Sequence, residues 1–344
     1  LSAPTELHFS FTNKCSAGCT HCYTNSVPDA KEEFTLEDMK KHIDRLADFG
    51  VFHIALGGGE SLERDDIFEI AAYIRTKNMV PNLTTSGLPM TPEMAKRCNI
   101  FGQINVSIDS LIPDPSQPRL AAHLQKSMEA LKMLIQHGNK TGINCVINRY
   151  NYDQIPAILK FAKENKLADV EFLRLKSSGR ATFSIFNNLN CTPEQHRDFW
   201  PTLLKYSKKY KQDVKIDCSY VPMMAYHSPD KKLMEKFCVK GCDGGNLLAA
   251  ADHKGRVKAC SFSHEFAGKL EDIRDEWGKN ENFLKYVNWS KSAIEPCKSC
   301  NYLSLCKGGC HVVAETVNND FFSPDPECPK VYAYNQRKKA EASQ

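Results

Sequence analysis

No apolar run in the 344-residue chain approaches the roughly 18 residues that a membrane-spanning helix needs. Leu247 to Ala251 is typical of its longest runs. The N-terminus has no basic stretch followed by an apolar one, so no secretory signal is read, and a disulfide-built extracellular scaffold is not expected. Neither an internal repeat nor a low-complexity tract is present. With 42% hydrophobic and 25% charged residues, the composition excludes disordered, collagen-like and coiled-coil chains. No G-x-G-x-x-G follows the first predicted strand, which speaks against an open dinucleotide-binding fold. The formal net charge of +4 is small for the length, and neither nucleic acid nor a membrane is expected as a partner. Leu1 is not an initiator methionine, so the chain is expected to be trimmed.

What the chain has in excess is cysteine. Fifteen is an odd number, so full disulfide pairing would leave one thiol over. Without a secretory signal, such a count points to metal or redox chemistry. Cys15, Cys19 and Cys22 lie near the start. Cys238, Cys242, Cys260, Cys297, Cys300, Cys306, Cys310 and Cys328 lie near the end. Cys98, Cys145, Cys191 and Cys218 fall between them with no motif spacing and read as buried thiols.

The first half alternates strand-like and helix-like segments. Strands are predicted at 7–12, 51–56, 80–85, 102–108, 142–148 and 170–175. Helices are predicted at 35–49, 65–77, 91–98, 119–137, 153–165 and 192–211, the first opened by a near capping box of Thr35 and Asp38. Six strand–helix units imply a parallel sheet with right-handed crossovers. A closed eight-fold barrel needs about 250 residues, so a partial (β/α)6 TIM-type barrel fits better. From about residue 213 short strands, glycines and cysteines dominate, with a hairpin predicted around His253-Lys254-Gly255. Apolar residues look too sparse there for a large core, and metal ligation is expected to supply stability. The expected division is a barrel over 1–212, a linker over 213–237 and a small cysteine-rich domain over 238–344.

Cys15-x3-Cys19-x2-Cys22 follows the first strand. Three thiolates on one tight loop can hold three irons of a cubane and leave the fourth iron open. Zinc is the competing reading, although three cysteines are an incomplete set for it. After the second strand comes Gly57-Gly58-Gly59-Glu60-Ser61, after the third Thr85-Ser86-Gly87, and after the fourth Ser107-Ile108-Asp109. These ends share the edge where parallel α/β folds build their sites.

In these motifs, together with Tyr23 directly after the third cysteine, the first 190 residues resemble the radical S-adenosylmethionine (SAM) superfamily. The resemblance implies a [4Fe–4S] cluster on Cys15, Cys19 and Cys22 whose open iron chelates SAM. Reductive cleavage then yields a 5′-deoxyadenosyl radical that takes hydrogen from substrate. It further implies that Gly58, Gly59 and Glu60 meet the methionyl group of SAM. Ser86 occupies the third-strand position, and Ser107 and Asp109 face ribose and substrate, with Asp109 a candidate catalytic residue. Asn148 or Arg149 is expected at the ribose or carboxylate, and Leu173 and Leu175 against the adenine. One departure is Ser61, where the family usually has proline. His21 is expected to face solvent.

The C-terminal spacing, C-x12-G-x4-C followed by C-x2-C-x5-C-x3-C and a last cysteine, resembles the seven-cysteine SPASM domain found on maturases of peptides and proteins. By that resemblance Cys238, Cys242, Cys260 and Cys310 hold one auxiliary [4Fe–4S] cluster, and Cys297, Cys300, Cys306 and Cys328 a second. C-x2-C pairs also make zinc ribbons, so zinc stays open at this level. Ser261 stands where sulfatase maturases carry an aspartate, which argues against formylglycine formation. The resemblance thus implies a maturase of a ribosomally made precursor peptide, forming a thioether or carbon–carbon crosslink or excising part of a residue as a splicease. A separate leader-binding (RRE-like) protein, a flavodoxin or ferredoxin reductant and a reducing cytoplasm are expected with it. The alternatives are a radical enzyme of heme-type small-molecule biosynthesis and a non-catalytic Fe–S electron-transfer protein.

Overall fold

The computed structural model describes all residues except 32, 237, 238 and 344. Cys238, one of the expected iron ligands, therefore lies outside the described residues.

Seven strands run parallel: β1 (Glu6–Thr12), β2 (His53–Gly58), β3 (Val80–Thr85), β4 (Ile104–Ser107), β5 (Thr141–Ile147), β6 (Val170–Arg174) and β7 (Val214–Ile216). A hairpin of β8 (Leu248–Ala251) and β9 (Val257–Lys258) completes one sheet in the order β7-β6-β5-β4-β3-β2-β1-β8-β9. The connecting helices are α1 (Leu36–Phe49), α2 (Ile67–Thr76), α3 (Pro92–Arg97), α4 (Leu124–Gln136), α5 (Ile155–Glu164), α6 (Phe183–Leu189) and α7 (Pro193–Tyr210). The repeating strand–helix unit through β6 makes the partial barrel. Its sheet stays open, because β7 and β9 end the order rather than pair with each other.

Local sequence explains these elements. In β1 every second side chain is buried, so Leu7, Phe9 and Phe11 point into the core. Helix α1 buries Met39, His42, Ile43 and Leu46, a three-and-four spacing that makes one apolar stripe. Its Thr35–Asp38 capping box is present, and Gly50 ends it in the left-handed region at φ 100°.

Three differences from the sequence-based expectation have physical causes. The helix expected from 119 starts at Leu124, after a 3₁₀ turn at Ala121–His123. Arg119 is held outside it by an ion pair with Asp109. Helix α6 was not expected, since Thr182 makes no side-chain cap to announce it. The C-terminal half does not stand on a sparse core of its own. Trp277, Phe283, Tyr286, Trp289 and Phe321 join the same apolar cluster as Leu7, Phe9 and the barrel strands.

The hairpin is the reason. β8 pairs in parallel with β1, from Glu6 opposite Leu248 to Phe9 opposite Ala251, so the cysteine-rich half adds strands directly to the barrel sheet. A second tie is ionic. Arg174, at the end of β6 and 2% exposed, donates to both carboxylate oxygens of Asp325 at 2.6 and 2.8 Å. It also donates to Glu327 at 2.7 Å and to the Ser219 carbonyl at 2.9 Å. Asp325 in turn accepts from the Cys310 amide at 2.8 Å, and Glu327 accepts from Asn190. Burial alone would raise the Glu327 carboxyl, but Arg174 and His196 hold it well below the usual carboxylate range.

Removing one partner of a buried pair leaves an uncompensated charge. Arg174→Met should therefore lower stability by about 3–5 kcal/mol in chemical denaturation. Glu327 is depressed in the folded state, so its contribution is complete above its ordinary value of about 4.5 and is lost as pH falls through the folded value. The stability gap between parent and variant should accordingly shrink on acidification below that value. A gap independent of pH would contradict this account of the clamp.

Candidate functional site

The strand ends β1 to β5 form one polar edge, and the first cysteine loop is bound to it. The Cys15 amide donates to the Val27 carbonyl and the Val27 amide to Asn13, both at 3.0 Å, which closes the loop on its own return. Gly18, at φ 60°, supplies the left-handed turn between Cys15 and Cys19. From beyond β6, Arg180 reaches over this loop. Its Nε donates to the Cys19 carbonyl at 2.9 Å, its Nη1 to the Ser26 carbonyl at 2.5 Å and its own amide to the Cys22 carbonyl at 2.8 Å. Gly179 is needed beside it, because a Cβ there would lie 2.4 Å from the Cys22 carbonyl oxygen.

The glycine run explains how strand ends can crowd here. A Cβ on Gly59 would fall 2.1 Å from the Lys14 carbonyl oxygen, and one on Gly58, at φ 105°, 2.5 Å from that of Thr12. The amides of Gly59 and Glu60 donate to those same two carbonyls at 2.8 Å. Glu60 is 2% exposed, and its carboxylate is enclosed by donors. One oxygen accepts from Thr85 Oγ1 at 2.6 Å and the Leu62 amide at 3.2 Å. The other accepts from the Ser86 amide at 2.7 Å and from the Ser86 hydroxyl. Burial raises this carboxyl above its ordinary range against the pull of those bonds. Glu60 and Ser86 are thus one unit that joins β2 to β3.

Ser107 and Asp109 line a half-open cavity together with Gln117 and Arg119. Asp109 is 2% exposed. Its Oδ1 accepts from the Val146 amide at 2.9 Å, and its Oδ2 faces Arg119 Nε at 3.1 Å and His21 Nε2 at 3.5 Å. His21 does not face solvent as expected. Its side chain is packed against Asp109, and burial pulls the imidazole down to about 4 although Asp109 opposes this. Arg119, which sequence reasoning passed over as a helix start, donates from Nη1 to Cys19 Sγ at 3.4 Å.

Asn148 is fully buried and donates to Gln117 at 3.0 Å, next to this cavity. Arg149 turns elsewhere and donates to the Asn187 and Asn190 carbonyls at the end of α6. Leu175 packs with Cys310, Val312 and Val313, with Cys260 against the same cluster, on the side of the C-terminal cysteines. Leu173, in β6, is half-buried. Tyr23, half-buried, packs against Phe262 with ring centroids 4.9 Å apart, and desolvation pushes its hydroxyl up to about 12. That contact joins the first cysteine loop to the segment after Cys260.

None of the described cysteines is in a disulfide. Ten of them fall into three groups within which the charges act on one another. Cys15 is pushed up to about 11 by burial and then by Glu60, Cys19 and Cys22. Cys22 is lowered, because hydrogen bonds from Thr24 and Ser26 outweigh its burial. Cys242 is raised by burial and by Cys260 and Cys310. Cys297, pushed up to about 12, feels burial first and then Cys328 and Cys300; Cys306 is raised by burial and by Cys328 and Cys297. Cys297, Cys300, Cys306 and Cys328 line one cavity, otherwise walled by groups such as Pro222 and Val331. Buried thiols that repel one another's ionisation need a cation to become thiolates. Among the described residues no three His, Cys, Asp or Glu side chains gather at single-ion distance. Cys98, Cys145 and Cys191 are buried in the apolar core, but Cys218 is raised by burial, Asp217 and Cys242, and so borders the second group.

The comparisons with known proteins agree with this geometry. Residues 9–162 match the family model of the radical SAM superfamily. The chain is similar to the Fe-coproporphyrin III synthase of Methanosarcina barkeri, at 26% identity over 93% of this chain and 86% of that protein. It is similar to the mycofactocin maturase MftC of Mycolicibacterium smegmatis, at 27% identity over 95% and 83%. The solved structure of Streptococcus suis SuiB bound to precursor peptide SuiA superposes with a TM-score of 0.76 at 17% identity, over 95% of this chain and 76% of that one. With the three-cysteine loop, the glycine–glutamate turn and the fourth-strand aspartate on one sheet edge, residues 9–162 form a radical SAM domain.

Proposed function

We propose that the protein is a radical SAM maturase that abstracts hydrogen from a ribosomally synthesised precursor peptide and modifies it. The observation that carries this reading is the pairing of a three-cysteine loop with two further cysteine groups in a C-terminal half that adds its hairpin to the same sheet. MftC is named a maturase, and SuiB was solved with its precursor peptide; both support a peptide as substrate. The segment from about residue 238 is read as the auxiliary-cluster domain, joined to the barrel through 213–237.

The three thiols Cys15, Cys19 and Cys22 would hold the SAM-binding [4Fe–4S] cluster. When bound, it supplies a low-potential electron and an iron site for SAM. The chain's own part is positional. Arg180 fixes the loop, the Glu60–Ser86 unit shapes the floor beside it, and Ser107, Asp109 and Asn148 surround the adjoining cavity. Cys242, Cys260 and Cys310, with Cys238, would hold one auxiliary cluster, and Cys297, Cys300, Cys306 and Cys328 a second. A flavodoxin or ferredoxin is the expected electron donor, a small leader-binding protein the expected partner, and a reducing cytoplasm the expected setting.

A second reading is favoured by one observation. Similarity to Fe-coproporphyrin III synthase spans almost the whole chain, and it keeps a tetrapyrrole-type small molecule as the alternative substrate.

Anaerobic reconstitution should load about 12 irons, and SAM with a reductant should then give 5′-deoxyadenosine. A Cys15→Ala/Cys19→Ala/Cys22→Ala variant should lose that product and keep roughly two-thirds of the iron, one cluster of three being removed. Retention of all the iron would sink the ligand assignment.

The substrate class is tested separately by mass spectrometry. Incubation with a candidate precursor peptide should remove two hydrogens if a crosslink forms, or a larger mass with rejoining of the chain if a residue is excised. An unchanged peptide alongside a transformed coproporphyrin would select the second reading.

A further inference from the structure

Arg119 has no role in any of the sequence motifs, yet it connects two parts of the site. Its side chain is 17% exposed, and it stands between Cys19, at 3.4 Å from Nη1, and Asp109, at 3.1 Å from Nε. The geometry points to Arg119 as a tuning residue of the SAM-binding cluster: it donates a charge-assisted hydrogen bond to the Cys19 sulfur and thereby raises the cluster's reduction potential. The inference rests on Cys19 being a ligand of that cluster.

The physical basis is general. Hydrogen bonds to ligand sulfurs and nearby net charge set the potential of an Fe–S cluster. Reduction adds one negative charge, so a donor and a positive charge beside the sulfur stabilise the reduced form. Hydrogen bonds to charged groups are also the stronger ones. Asp109 acts in the opposite sense, because it places a negative charge beside the same guanidinium. The pair is held firmly. The Val146 amide fixes the other oxygen of Asp109, and the Asn151 side-chain amide donates to the Asp109 backbone carbonyl at 2.8 Å. Arg119 is kept from joining α4 by this attachment, which explains why the helix starts five residues late.

The arrangement has a consequence for coupling to the cavity. Arg119 lines it with Ser107, Asp109 and Gln117. A ligand there that competes for the guanidinium would weaken the bond to Cys19 and lower the potential. Occupancy of the cavity and reducibility of the cluster are thereby linked through one side chain.

The test is a reductive titration of the reconstituted holoprotein with a low-potential one-electron reductant, followed by electron paramagnetic resonance. The cluster of interest is identified as the one whose signal changes on adding SAM. Arg119→Met should move its midpoint to more negative potential by at least a tenfold change in the reduction equilibrium, which is 59 mV for one electron. Arg119→Gln, which keeps a neutral donor, should fall between that variant and the parent. Asp109→Asn should shift the midpoint the other way. Both Arg119→Met and Asp109→Asn break the same ion pair, so a merely structural role would move the two in one direction or neither. Equal midpoints in parent, Arg119→Met and Arg119→Gln, or shifts of the same sign in the arginine and aspartate variants, would overturn the inference. If Arg119→Met does not retain the cluster, the comparison of parent with Arg119→Gln decides. A parent protein with no SAM-responsive signal would instead overturn the cluster assignment itself.

Discussion

The architecture hangs on a cation sealed between the two halves of the chain. Arg174 ends the sixth strand of the barrel, and its two carboxylate partners, Asp325 and Glu327, lie just ahead of the last cysteine. A guanidinium suits this position because its planar fork meets a carboxylate with two parallel bonds. The same aspartate accepts from the Cys310 amide. One buried charge thus fixes, relative to the barrel, a cysteine of the second group and the segment that carries a cysteine of the third. Well-made contacts on every lone pair are what make such a buried network tolerable.

A comparable logic operates at the other end of the sheet edge, with an anion at its centre. Glu60 is enclosed by donors from Leu62, Thr85 and Ser86. It joins the ends of two strands beside the first cysteine loop. Around it the backbone is packed so closely that only glycine fits at positions 58 and 59. Arginines then bridge outward. Arg180 ties the loop to the segment after β6, and Arg119 ties it to the end of β4. The site is therefore built from charge pairs that cross between strand ends, while the apolar core behind them supplies the rigid frame.

Much of this was legible in the chain itself. Cysteine spacing, the glycine turn, the strand–helix alternation and the Thr35–Asp38 cap are all local patterns, and each is set by chemistry within a few residues. What was not legible depends on long-range contact. Arg174 and Asp325 are 151 residues apart, and no period in either neighbourhood signals the pairing. Arg119 sits before a helix-like stretch and reads as its first turn until Asp109 is seen beside it. His21 reads as a solvent-facing residue from its place inside the cysteine motif; its side chain is instead covered by Asp109, met much later in the chain. Cys218 has no motif around it, yet the fold sets it beside Cys242. The apolar residues of the C-terminal half looked too few for a core because their partners belong to the barrel.

The pairing of β1 with β8 also bears on how the molecule is made. β1 is synthesised well before its outer neighbour in the sheet, which lies some 240 residues downstream. Contacts of such separation close late and slow the search for the native state. Until then β1 presents a bare edge of unpaired amides and carbonyls, directly before the three-cysteine loop. The topology thus sets an order: the edge of β1 that leads into the loop can be covered only after β8 has emerged.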